Sequence, residues 1–140
     1  MLIQKIRHHN DGHPMTVIRI EAVPGPSAVT AAFSIAGMAG NQFSFLGFAP
    51  QKKGRETFFK NLRNYDHPVI FFESTHRIMK TLTALNDPAN DPDNWVVTIA
   101  RELTKLHEEV LTGSAAELLE TLEAEPVRQK GEFVVLIDRR

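Results

Sequence analysis

The chain has 140 residues, enough for one compact domain with a real core, and its 42% apolar and 24% charged content is ordinary for a soluble globular protein. The 16 basic residues stand against 17 acidic ones, so no global field selects nucleic acid or membrane, and any RNA affinity must come from a local patch. There is no cysteine, which excludes disulfides, thiolate zinc sites and a cysteine nucleophile.

In chain order, Leu2, Ile3 and Ile6 recur at helical spacing, so residues 2–9 read as the tail of a helix. Asp11-Gly12-His13-Pro14 reads as a turn, and the alternation from Thr16 to Val23 predicts a strand. Pro24-Gly25-Pro26 stops that strand. A helix of small residues follows, with Ser27 as N-cap, Gly37 as the left-handed residue that ends it, and Ala28, Ala31 and Ala32 as a thin face. Residues 22–51 carry no charge, yet the prolines, glycines and amides within them break any membrane-spanning run. A signal peptide is also missing, because Lys5, Arg7 and His8 crowd the start. The expectation is a cytoplasmic, soluble protein with no membrane contact.

Phe43 to Phe48 is an aromatic strand, and Ala49 to Arg55 a basic loop. Glu56 to Tyr65 is amphipathic, with Phe58, Phe59 and Leu62 inward. Val69 to Phe72 is a continuous apolar run of the kind found in central strands covered on both faces. Ser74 is expected to cap a helix through about Leu85, and the Asp-, Asn- and Pro-rich residues 86–94 form a surface loop. Trp95 to Ala100 is a second buried strand. The segment Glu102 to Leu106 reads equally as loop or helical turn, and Glu109 to Thr112 as a short strand. Ser114 and Glu117 make a capping box for a helix to about Glu125. Gly131 to Asp138 is the last strand. The alternation of strands and helices predicts an α/β domain with a mixed, mostly five-stranded sheet flanked by helices, and the short link between the Trp95 and Glu109 strands requires an antiparallel pair.

Two segments carry chemistry-bearing residues at strand ends, where ligands collect in open α/β sheets. The first is Phe71-Phe72-Glu73-Ser74-Thr75-His76-Arg77, which on residue types alone is an N-cap with a local Glu73–Arg77 ion pair. The second is Arg101-Glu102-Leu103-Thr104-Lys105 with Glu108-Glu109, which reads as a solvated loop with an ion network. The histidines are scattered, and His8-His9 has no carboxylate at ligand spacing, so no metal is expected. Ser27, Ser74 and Ser114 all have capping explanations and no nucleophile-elbow context.

The wording of these segments adds a resemblance. Pro24-Gly25-Pro26-Ser27-Ala28 after a strand resembles the hinge of the tetrapyrrole methylase superfamily, whose members use S-adenosylmethionine. The match is closest to the branch that methylates the 2′-hydroxyl of a cytidine ribose in small-subunit (16S) rRNA. Glu73-Ser74-Thr75-His76-Arg77 is similar to that branch's Glu-Ser-Pro-His-Arg, with Thr75 standing at what should be the first helical position. Arg101 to Lys105 followed by Glu-Glu, Lys130-Gly131-Glu132-Phe133-Val134, and the Pro50-to-Arg55 loop complete the likeness from about Thr16 to Ile137.

What the resemblance implies is a C-terminal methyltransferase domain over 24–140, including the hinge helix, with residues 1–23 the last helix and strand of an N-terminal domain. A cloned fragment or a truncated gene would explain that layout, and such a piece is expected to be inactive alone. The methyl donor is expected against Ser27, Ala28, Phe72, Glu73, Glu102, Leu103, Gly131 and Glu132. Lys52, Lys53, Arg55, Arg77, Arg101 and Lys105 are expected to contact RNA phosphates. Glu73, His76 and Glu108 are the candidates for catalytic base, with no choice among them. The partners implied are rRNA and a second copy in a homodimer. Two alternatives remain, a tetrapyrrole methyltransferase domain and a non-catalytic dimerising fragment. The Lys52-Lys53-Gly54-Arg55 loop speaks against a small tetrapyrrole substrate.

Overall fold

The computed structural model describes residues 2–12, 17–23, 25–90 and 95–139. The expected His13-Pro14 turn, Thr16, Pro24 and the end of the 86–94 loop lie outside the described residues. Helix α1 spans Leu2–Gly12, so it runs on through two residues assigned above to the turn. Residues 17–23 form no strand, although their alternation predicted one. A strand needs a ladder partner, and the described residues offer it none; Val17 and Val23 stand 65% and 95% exposed.

Helix α2, Ala28–Ala36, is the element the sequence specified most completely. The Ser27 hydroxyl accepts from the Thr30 N–H at 3.4 Å, and Gly37 ends the helix at φ 70°. After it come β1 (Ser44–Phe48), α3 (Arg55–Leu62), β2 (Val69–Ser74), α4 (Ile78–Leu85), β3 (Val96–Arg101), β4 (Glu109–Gly113), α5 (Ala115–Ala124), a 3₁₀ turn (Pro126–Gln129) and β5 (Glu132–Asp138). The Ser114–Glu117 capping box forms as expected. Ser74, by contrast, caps nothing. It is the last residue of β2, held there by pairing with Glu132 of β5, and α4 starts only at Ile78 after a turn. Thr75 is therefore a turn residue and not a helical one.

The sheet order is β1-β2-β5-β3-β4, with β1 parallel to β2 and every other pair antiparallel. Alternation along β5 assigns its two faces. Phe133, Val135 and Ile137 pack with Phe59, Leu82 and Leu122 beneath α3, α4 and α5. Val134 and Leu136 pack with Val29, Ala32 and Ala36 of α2 on the other face. The small residues of α2 thus let a helix backbone lie close to β5 and β3, directly above one end of the sheet.

Candidate active site

Antiparallel pairing of β5 with both neighbours brings the carboxyl ends of β2 and β3 to the amino end of β5. Ser74 stands opposite Glu132, and Glu73 and Arg101 flank Phe133 on either side. The first residue of α2 overhangs this lip. Between them lies a cleft of about 520 Å³ lined by Ala28, Phe48, Phe72 to His76, Ala100, Leu103 and Gly131 to Val134. It falls within the size range of small-molecule sites. Of the residues the resemblance assigned to a methyl donor, Ala28, Phe72, Glu73, Leu103, Gly131 and Glu132 meet here. Ser27 and Glu102 stand outside the lining, as cap and as prop.

The rim is tied together by side chain–backbone bonds. The Thr75 hydroxyl donates to the Gly131 carbonyl at 2.7 Å and accepts the Gly131 N–H at 2.9 Å. Glu102 has φ 49°, and its carboxylate accepts the Glu132 N–H at 2.8 Å and the Lys105 ammonium at 3.1 Å. Lys105 also reaches Glu132 at 3.0 Å. The Glu132 N–H, and after it Lys105, holds the Glu102 carboxyl below its ordinary pKa, and the carboxylates of Glu132 and then Glu102 raise that of Lys105. Gly131 has φ 122°, and a Cβ there would lie 2.6 Å from Glu102 Cγ, so only glycine fits. Glu108, one of the three candidate bases, is drawn into this loop by accepting the Thr104 N–H.

Glu73 is buried beneath the lip with its side chain 0% exposed. One carboxylate oxygen accepts the Ser74 N–H at 2.8 Å and lies 2.9 Å from Arg77 Nε as an ion pair, the Nε–H itself donating to the Ser74 hydroxyl at 3.1 Å; the other accepts the Thr81 hydroxyl at 2.7 Å and Arg55 at 3.3 Å. Three hydrogen bonds and two guanidinium ion pairs engage both oxygens, which commits this buried carboxylate to holding the fold rather than to taking a substrate proton. The same two guanidinium groups donate to Pro50 and Ala49 carbonyls, at 3.0 and 2.9 Å, and so close the 49–55 loop on the buried carboxylate. Arg101 is also turned inward, donating to the carbonyls of Lys130, His107 and Val127. Three of the six expected phosphate contacts are therefore committed inside the fold, and Lys105 to the rim.

Lys52 and Lys53 remain exposed and have no partner among the described residues, while His76 is the one exposed candidate base that lines the cleft. Phe48 and Thr75 are cleft residues that the sequence reading missed. The aromatic pattern of β1 held the only signal for Phe48, and nothing local marked Thr75. Among the described residues no cluster suited to a metal occurs, and no helix is long and apolar enough to cross a membrane.

Three comparisons bear on this arrangement. In sequence, the chain is similar to proteins named ribosomal RNA small subunit methyltransferase I: it is 37% identical over 120 residues to that of Thermotoga maritima, covering 86% of this chain and 52% of the relative. The match with the Xylella fastidiosa (strain Temecula1) protein of that name is 39% over 121 residues, covering 86% and 44%. The chain thus spans about half the length of these curated relatives. In structure, it resembles a cobalamin biosynthetic enzyme, cobalt precorrin-4 methyltransferase, with a TM-score of 0.57 and 16% identity over 96% of this chain and 56% of that one. It also resembles the methyltransferase CobJ, with a TM-score of 0.56 and 21% identity over 95% and 56%. At such identities the likeness speaks for the fold. The family model described as Tetrapyrrole (Corrin/Porphyrin) Methylases matches residues 10–119, and the chain belongs to that family.

Proposed function

We propose that this chain supplies one wall of the active site of an S-adenosylmethionine-dependent 2′-O-ribose methyltransferase acting on small-subunit rRNA, and with it a cytoplasmic setting. The observation that carries the proposal is the cleft at the strand ends, in a chain whose relatives bear rRNA methyltransferase names at 34–40% identity. The residues fit such a donor. Phe72, Ala100, Leu103 and Val134 offer apolar walls for an adenine ring and a methionine chain, and Ala28 keeps the overhanging helix thin. When bound, the donor supplies an electrophilic methyl group.

The protein's share is alignment of the ribose hydroxyl and exclusion of water, with Ala28, Leu103 and the Gly131–Glu132 backbone holding the donor. His76, exposed and bordering the cleft, is the residue this reading assigns to take the hydroxyl proton. The remaining wall comes from outside the described residues, so the chain alone is expected to bind donor weakly and turn over little. A tetrapyrrole substrate is disfavoured by the exposed Lys52 and Lys53 on the loop that follows the cleft residue Phe48.

The test is RNA affinity against salt. The double variant Lys52→Ala/Lys53→Ala should weaken binding and flatten the slope by roughly 0.7 per lost phosphate contact. An unchanged slope would remove these lysines from the RNA interface, and a chain that binds no RNA would remove the rRNA reading.

A further inference from the structure

Beside the cleft, β1 turns aromatic residues outward in a way that strict strand alternation forbids. Phe45 and Phe48 are three residues apart and should point to opposite faces. The pairing with β2 slips between them, from Phe45 opposite Ile70 to Phe48 opposite Phe72, and Gly47 at φ 69° absorbs the extra residue. Both rings then meet Phe72 from the same side, with centroids at 4.9 and 5.2 Å and planes inclined by 63° and 61°. They are 44% and 64% exposed. The bulge, in effect, keeps two phenyl rings in solvent and orients them through a third.

The surroundings indicate what such rings would receive. Phe48 leads directly into the 49–55 loop, whose ends are pinned by Arg55 and Arg77 on buried Glu73. That loop carries Lys52 and Lys53 a few residues past Phe48, exposed and with no anionic partner among the described residues. Charge along the chain is strongly uneven behind its near-zero net value. Residues 50–83 hold seven Lys and Arg against three Asp and Glu; with Arg55 and Arg77 spent on buried Glu73, five cations face two carboxylates, whereas residues 84–140 hold six against twelve. That imbalance favours a polyanion along the 50–83 segment over the 84–140 segment. Aromatic faces next to unpaired lysines match an unpaired nucleotide, with its base on the rings and its phosphates on the lysines.

We propose that Phe45 and Phe48, braced by Phe72 and flanked by Lys52 and Lys53, form a stacking platform for an unpaired base of the RNA. The proposal rests on the rRNA reading above and adds to it the form of RNA accepted. A duplex hides its base faces, so the platform selects a single-stranded or looped segment and leads it toward the cleft that Phe48 also lines.

The experiment uses a short fluorescein-labelled single-stranded RNA of mixed sequence and the same sequence as a duplex, with anisotropy followed over a range of KCl concentrations. Phe45→Leu and Phe48→Leu keep apolar bulk and remove the π face; Phe48→Tyr keeps it. Each leucine variant should lose about five-fold or more in single-strand affinity at every salt concentration, with no change of slope and little change for the duplex. The tyrosine variant should bind like wild type. Lys52→Ala/Lys53→Ala should instead change the slope. Unchanged affinity in the leucine variants, with the lysine effect intact, overturns the platform and leaves the rRNA reading standing. Failure of the wild type to bind either RNA overturns both. If the leucine variants turn a sedimenting dimer into monomer without altering RNA affinity, the rings belong to an interface between copies and the platform is wrong.

Discussion

Replacing Glu73 with glutamine tests the claim that this residue holds a loop and does no proton chemistry. The carboxylate accepts three hydrogen bonds, from Ser74, Thr81 and Arg55, and pairs with the guanidinium of Arg77, with its side chain wholly buried. An amide of the same shape keeps one accepting oxygen. Its NH2 must then face either Ser74 and Arg77 or Thr81 and Arg55, so both guanidinium groups lose their only carboxylate and one of them keeps not even a neutral acceptor there. Breaking a buried pair on one side costs about 3–5 kcal/mol. Both arginine side chains keep 17% exposure, so water recovers part of that loss. The expected cost is about 3 kcal/mol, or roughly 10 °C in Tm for a chain of this size. Urea denaturation measures it, and a lysine-specific protease reads the loop separately, because Lys52 and Lys53 sit between the pinned ends. The variant should be cut there faster under native conditions. A loss below about 1 kcal/mol with unchanged cleavage would refute the clamp, because even an ordinary charged hydrogen bond exceeds that.

Gly131→Ala should cost about 2–3 kcal/mol in urea denaturation, since it combines a positive φ with a Cβ placed 2.6 Å from Glu102 Cγ. A neutral result would show that the 102–105 loop yields freely. Glu102 gives a pH signature. Its folded pKa lies below the unfolded value, so its stabilising contribution is complete above the ordinary glutamate value of about 4.3 and fades as pH falls through the lower folded value. The stability advantage of wild type over Glu102→Gln should therefore be full near neutral pH and vanish in acid; an advantage independent of pH would contradict the assigned pairing with the Glu132 N–H and Lys105.

What could be read from the sequence was what neighbouring residues decide. Ser27 and Gly37 bound α2, and Ser114 with Glu117 heads α5, because caps act within one turn. Apolar runs announced β2, β3 and β5, and with them the strand ends where the cleft lies. Features set by distant partners were hidden. Ser74 has a capping residue's chemistry, and only its pairing with Glu132, far along the chain, makes it a strand end. Arg77 finds the Ala49 carbonyl and Arg101 those of Val127 and Lys130, so their charge suggested phosphate contacts that the fold turns inward. The alternation of residues 17–23 was real, but pattern alone cannot supply a neighbouring strand. The likeness of Glu73-Ser74-Thr75-His76-Arg77 to a known segment led to the strand end that lines the cleft, while the burial of Glu73 assigns its carboxylate to structure.

The central claim is that the methyl donor lies in the cleft between α2 and the ends of β2, β3 and β5. Amide chemical shifts of this chain titrated with S-adenosylmethionine test it most directly, since they detect the weak binding expected of a single wall. The account predicts saturable shifts at Ala28, Leu103 and Gly131 to Val134, with α5 and the 3₁₀ turn unmoved. Saturable shifts confined to the far side, or a donor that moves no cleft resonance at saturating concentration, would contradict it.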